Sequence, residues 1–105
     1  MFKGMGDMFK QAQEMKSRLA EIQESLGRKQ VEASTGGGMV KITATGKHEI
    51  LHVHIDEELI NMQDKAILED LVAGAINEIN RKVKELAEEE MKKATGGLKI
   101  PGLFP

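Results

Sequence analysis

The chain contains no cysteine, no tryptophan and no tyrosine, and its aromatic content is three phenylalanines. Without cysteine, neither a disulfide framework nor a thiolate metal site is available, and a reducing compartment such as the cytoplasm fits. With three phenylalanines and no tyrosine or tryptophan, single-strand binding through aromatic stacking platforms is unsupported. No apolar run reaches the length of about 18 residues that a membrane-spanning helix needs. The first residues, "MFKGMGDMFKQ", lack the apolar core of a secretory signal. A soluble intracellular protein with no membrane partner is expected. The sequence also offers no thiol nucleophile, no Ser-His-Asp order in a recognisable context and no carboxylate pair set among apolar residues. No enzyme, cofactor or small-molecule substrate is therefore expected.

What is present is 105 residues with a net charge of −2. That length has room for one domain, and such a domain buries only about two-thirds of its unfolded surface, which favours help from a partner chain. The overall charge argues against a uniformly basic nucleic-acid binder, but the charge is unevenly spread. Residues 1–30 carry six basic groups against four acidic, and residues 81–105 again six against four, whereas residues 31–80 carry three against nine. An anion would be met at the two ends of the sequence.

Met8, Ala12, Met15, Leu19, Ile22 and Leu26 recur at intervals of four and three, the seam of an amphipathic helix over 7–26. Asp7 is expected to cap it and Gly27 to end it. The methionines read as core filler on that seam. From 30 to 56 the period changes to two, giving three strands over about 30–35, 39–45 and 49–56, with short connections suited to an antiparallel meander. A polar connector follows, anchored by Leu59 and Ile60. Leu68, Val72, Ala75, Ile79, Val83 and Leu86 then restore the helical spacing over 64–95, broadened by Ile67, Leu71 and Ile76. That helix would be about 45 Å long, against a radius of gyration near 13 Å for a compact chain of this size. Its overhang needs cover, which predicts a homodimer or larger assembly. The Gly/Pro-punctuated tail, 96–105, carries Leu98, Ile100, Leu103 and Phe104. Whether these dock on a helix or stay unstructured is open.

The stretch "STGGGMVKITATG" at 34–46 raises the question of a phosphate-cradling loop. Such a loop normally leads from a strand into a helix N-terminus. Here an alternating strand follows the glycines, and Lys41 is not followed by Ser or Thr. The glycines read as a turn between strands. His52 and His54 share a strand face with His48 nearby, but no cysteine is present and Glu49 would have to complete a ligand set. They read as exposed or partner-facing, and no metal is expected.

Taken in order, "MFKQAQEMKSRLAEIQ", "VEASTGGGMVKITATGKHEILHVHIDEELI" and "DKAILEDLVAGAINEINRKVKE", with the Gly-rich tail after them, resemble the YbaB/EbfC family of nucleoid-associated proteins. The resemblance covers essentially the whole chain. It implies an α+β fold, an α-β-β-β-α protomer with a three-stranded antiparallel sheet between two long helices, paired in a tweezer-like homodimer. It also implies binding of double-stranded DNA in the nucleoid with loose sequence preference, contributing to nucleoid organisation, with gene regulation as a further outcome. The family has no catalytic residues to carry over, and its terminal helices are the elements implicated in DNA binding. On this chain those helices would present Lys3, Lys10, Lys16, Arg18, Arg28 and Lys29, and Arg81, Lys82, Lys84, Lys92 and Lys93. Not all of them can face one duplex. Dimerisation through the sheet and second helix would use Val40, Ile42, Leu51, Val53, Ile55, Leu68, Val72, Ile76 and Ile79. The rival expectation is a protein-interaction adaptor that recruits a partner through its helix seams and apolar tail.

Overall fold

The computed structural model describes the backbone of residues 2–95 and the side chains of residues 4–94. The expected tail, with Gly96 and Gly97, lies outside the described residues. Helix α1 (Phe2–Arg28) leads into strand β1 (Gln30–Thr35). A single 3-10 turn (Gly36–Gly38) then connects to β2 (Val40–Thr45) and β3 (Ile50–Ile55), and the one-turn helix α2 (Glu57–Asn61) precedes the long helix α3 (Lys65–Thr95). The fold is α+β in the order α-β-β-β-α, with α2 inserted in the connector.

The strands form an antiparallel sheet in the order β1-β2-β3. Ala33 faces Ile42, and Ile42 faces Val53 on its other side; Val40 pairs with both Thr35 and Ile55. Because side chains alternate along a strand, Val31, Ala33, Val40, Ile42, Val53 and Ile55 share one face. Glu32, Ser34, Lys41, Thr43, His52 and His54 share the other. A bulge between Thr43 and Ala44 sets Ile50 opposite Ala44 and leaves Leu51 as the extra residue on β3.

The triple glycine makes the first turn. All three residues have positive φ, at 62°, 67° and 97°, a region L side chains rarely adopt. Gly36 is further constrained by α3: a Cβ there would lie 2.9 Å from Leu71 Cδ1. No helix opens after the glycines, so the loop is a strand connector. It is anchored to α3 by Thr35 Oγ1, which donates to the Leu71 carbonyl at 2.7 Å.

Two apolar clusters hold the chain together. In the first, α3 lies across β1 and β2 and buries Ala33, Val40, Ile42 and Ala44 against Ala75, Ile79 and Val83, with Leu59 of α2 closing one end. Asp56 Oδ1 accepts from the Glu58 N–H and Asp64 Oδ1 from the Ile67 N–H, which start α2 and α3 in the way side-chain caps do. In the second cluster, Ile22 and Leu26 of α1 pack on Met91, flanked by Leu19, Leu86, Ala87 and Ala94.

Three expectations change here. Helix α1 starts at Phe2, so Asp7 lies inside it and does not cap it. It ends at Arg28, one residue past Gly27, because its last carbonyls find other partners. The Leu26 carbonyl accepts from the N–H groups of Lys29 at 3.2 Å and Gly46 at 2.9 Å, so no left-handed glycine is needed there. The overhang of α3 is covered by the C-terminal half of α1 from the same chain, and that overhang does not itself call for a second copy. The helices run antiparallel: Leu26 shares a groove with Asn80 and Lys84, while Arg18 shares one with Lys93 and Ala94. The N-terminal half of α1 therefore passes beyond the end of α3. The molecule measures 72 × 22 × 18 Å with a radius of gyration of 19.6 Å.

Candidate nucleic-acid interface

The cations expected to meet phosphate fall into two groups. In the first, each is already engaged. Arg81 is forked between Glu78 and Glu85, its Nε donating to Glu78 Oε2 at 3.2 Å. The two carboxylates hold the guanidinium above its ordinary range, and Arg81 in turn holds the Glu78 carboxyl below the usual carboxylate value. Lys82 Nζ donates to the Glu32 carbonyl at 2.7 Å, fastening α3 to the β1 edge. Lys29 pairs with Glu90, joining the end of α1 to distal α3. Arg28 lies 3.5 Å from Glu24, and Lys93 lies 3.8 Å from Glu89 and 3.9 Å from Glu90.

Among the described residues, the second group has no ion pair. It comprises Lys10, Lys16 and Arg18 on α1 and Lys84 and Lys92 on α3, all exposed. Lys10 and Lys16 stand on the half of α1 that projects past α3, with Arg18 at its root beside Lys93. At 100° per residue, Lys16 and Arg18 flank opposite sides of the apolar seam, and Lys10 lies on the far face with Glu14 and Glu21. Lys84 borders the groove between α1 and α3 with His48 and Glu88. The side chain of Lys3 lies outside the described residues.

The residues expected at the dimer interface also separate. Val40, Ile42 and Ile79 are buried in the protomer's own core and offer a partner no surface. Leu68 and Val72 are half-buried against that core. Leu51, Val53, Ile55 and Ile76 are exposed, Val53 by 47% and Ile76 by 46%. Ile55 and Val53 lie on the helix-facing side of the sheet, but α3 covers only β1 and β2. Leu71 and Lys82 turn one flank of α3 toward β1. Ile76 lies on the opposite flank, toward β3. An apolar cleft thus opens between α3 and β3, and Ile50 extends it. Ile50 went unread in the sequence because it falls out of step with Leu51, Val53 and Ile55; that break in alternation is the signature of the bulge. His52 and His54 point from the outer face of the sheet, and among the described residues no three His, Asp or Glu side chains could hold a metal ion. None of the described helices is long and apolar enough to cross a membrane.

A three-stranded antiparallel sheet backed by one long helix, with a second helix projecting past the end of the first, defines an α+β protein of α-β-β-β-α order. The chain belongs to the YbaB/EbfC DNA-binding family, whose model matches residues 1–98. It is 45% identical over 100 residues to a nucleoid-associated protein of Thermoanaerobacter pseudethanolicus and 44% identical over 100 residues to one of Caldanaerobacter subterraneus. Each match covers 95% of this chain and 90% of the relative. The fold matches the crystal structure of an uncharacterized protein from Helicobacter pylori with a TM-score of 0.71, at 23% identity, over 78% of this chain and 86% of that one.

Proposed function

We propose that this protein is a nucleoid-associated homodimer that binds double-stranded DNA with loose sequence preference, contributing to nucleoid organisation and through it to gene regulation. The observation that carries this reading is the unpaired, exposed set of Lys10 and Lys16 on the projecting half of α1 with Arg18 at its root, in a member of a DNA-binding family. Lys84 and Lys92 add to it from α3. Lysines and arginines that meet phosphates supply affinity and salt dependence without reading base edges.

The dimer forms through the cleft between α3 and β3. Lys82 occupies the β1 edge, but β3 presents an uncovered edge with Val53, Ile55 and Ile50 beside Ile76. An open apolar edge strand is a template for a second strand, and a second copy would cover it by isologous contact. Two copies place two cationic arms on one body, so one duplex meets twice the charge of a single chain. Acidic neighbours, Glu14 and Glu21 among them, weaken the field.

The test is DNA binding across a salt series with the variant K10E/K16E/R18E. Binding by the unaltered protein should weaken steeply as salt rises, and the triple variant should lose binding while keeping its helical signal and solution mass. Unchanged binding by that variant sinks the placement. A salt-independent affinity sinks the phosphate mechanism.

A further inference from the structure

The apolar seam of α1 is only half used. Its C-terminal half, through Leu19, Ile22 and Leu26, packs on α3. Past Met15, which is half-buried, the same seam continues as Ala12, Met8 and Met5, all exposed. Met5, Met8 and Phe9 are each 71% exposed. Met5, Met8 and Ala12 continue the four-three spacing of Met15, Leu19, Ile22 and Leu26, whereas Phe9 stands about 100° round the helix from Leu26, so the bare surface of Met5, Met8 and Ala12 is continuous with an interface the chain already makes. An isolated helical segment of this length is marginal in water unless something packs on its apolar face.

We propose that the chain's own C-terminal segment, residues 96–105, docks along this seam. Three observations select that occupant. First, α3 ends at Thr95, and its last turn lies beside Arg18 and Ile22. Because the helices are antiparallel, α3 ends where the bare seam begins, with its axis directed along it. Second, the reach fits. From Arg18 to Phe2 the helix rises about 24 Å, and ten extended residues span up to about 35 Å. Third, the composition fits: Leu98, Ile100, Leu103 and Phe104 supply apolar side chains. Pro101 disfavours a helical Ile100 and favours an extended segment there.

Methionine methyl groups report on this directly. Met5, Met8 and Met15 lie on the seam, whereas Met39 packs beside the sheet core and Met62 follows α2. The full chain, labelled at its methionine methyls, should show nuclear Overhauser contacts from the Met5, Met8 or Met15 methyls to the ring of Phe104 or the methyls of Leu103. In the variant L103S/F104S those contacts should vanish and the three seam methyls should shift, with Met39 and Met62 unmoved. Identical seam resonances in the two proteins overturn the proposal. So does a mixture of labelled and unlabelled chains in which the contacts appear only between chains, since that result gives the seam to a second copy. No arm of the test uses DNA, so its failure leaves the DNA-binding reading standing, and the reverse also holds.

Discussion

The Gly46 N–H donates to the Leu26 carbonyl at 2.9 Å, and a Cβ at Gly46 would lie 2.6 Å from that same oxygen. The β2–β3 turn therefore closes directly onto the last turn of α1. Leu26 is buried in the α1–α3 cluster, so this contact sets where the arm is rooted on the sheet. Neither backbone can yield without breaking the bond. Gly46→Ala should destabilise the protein by about 2 kcal/mol, within the range of overpacked sites, and lower Tm by on the order of 10 °C. Thermal unfolding followed by circular dichroism checks it, and an unchanged Tm would show that the turn is free to move.

The pairing of Lys29 with Glu90 gives the same junction a pH dependence. Lys29 first, by its hydrogen bond, and Lys93 by its charge hold the Glu90 carboxyl below its ordinary value of 4.5. A depressed carboxyl binds its proton less readily in the folded state than in the unfolded one, so its contribution is fully present above pH 4.5 and is lost as pH falls through the folded value. At neutral pH the unaltered protein should be more stable than Glu90→Gln, and the gap should close as pH falls from 4.5 toward the folded value. Denaturant unfolding of both proteins over that range is the measurement. A gap independent of pH would show that Glu90 acts by packing alone.

Val53 and Ile79 should behave oppositely although both were expected at one interface. Ile79 is buried inside the protomer, and Ile79→Ala should cost about 3 kcal/mol, as large-to-small core changes do. Val53 lies on the open side of β3, and Val53→Asp should leave each protomer folded while halving the solution mass measured by sedimentation. A dimeric Val53→Asp would move the interface away from β3.

Arg81 is the basic residue on α3 whose charge is most fully answered, by Glu78 and Glu85. Arg81→Ala should change DNA affinity by less than about 2-fold and leave its salt slope unaltered. Lys16→Ala and Arg18→Ala should each lower the slope by about 0.9, the increment for one lost phosphate contact on duplex DNA. Fluorescence anisotropy over a salt series separates the two results. An equal loss from all three variants would mean that the ion pairs open on binding.

Several features were legible in the residues alone because they are written in local periodicity. The alternation of Val40, Ile42 and Ala44 with Lys41 and Thr43 marks one buried face of β2. The four-three spacing from Leu68 to Leu86 marks a helix, and an alternating strand after Gly36–Gly38 rules out a phosphate loop. Other features were not. The seam from Met8 to Leu26 looks uniform in sequence, yet Leu26 is 4% exposed and Met8 71%. No local pattern records where α3 stops running alongside it. Arg81, Lys82 and Lys84 look alike as a basic cluster, and only their neighbours in space separate an ion-paired guanidinium, an ammonium tied to a β1 carbonyl, and a lysine left unpaired.

The sequence by itself determined the order and type of the elements, the strand-to-strand turn at the glycines and the concentration of positive charge at the two ends, since each depends on residues within a few positions of one another. The tertiary structure alone decided which apolar surface the chain covers for itself and which it leaves exposed. It also decided which cations remain available to an anion. Those outcomes rest on contacts such as Lys29 with Glu90, 61 residues apart, and on α3 lying over β1 and β2 but not β3. Burial and charge pairing are properties of three-dimensional proximity, and spacing along the chain records them only where the chain's neighbours are also its contacts.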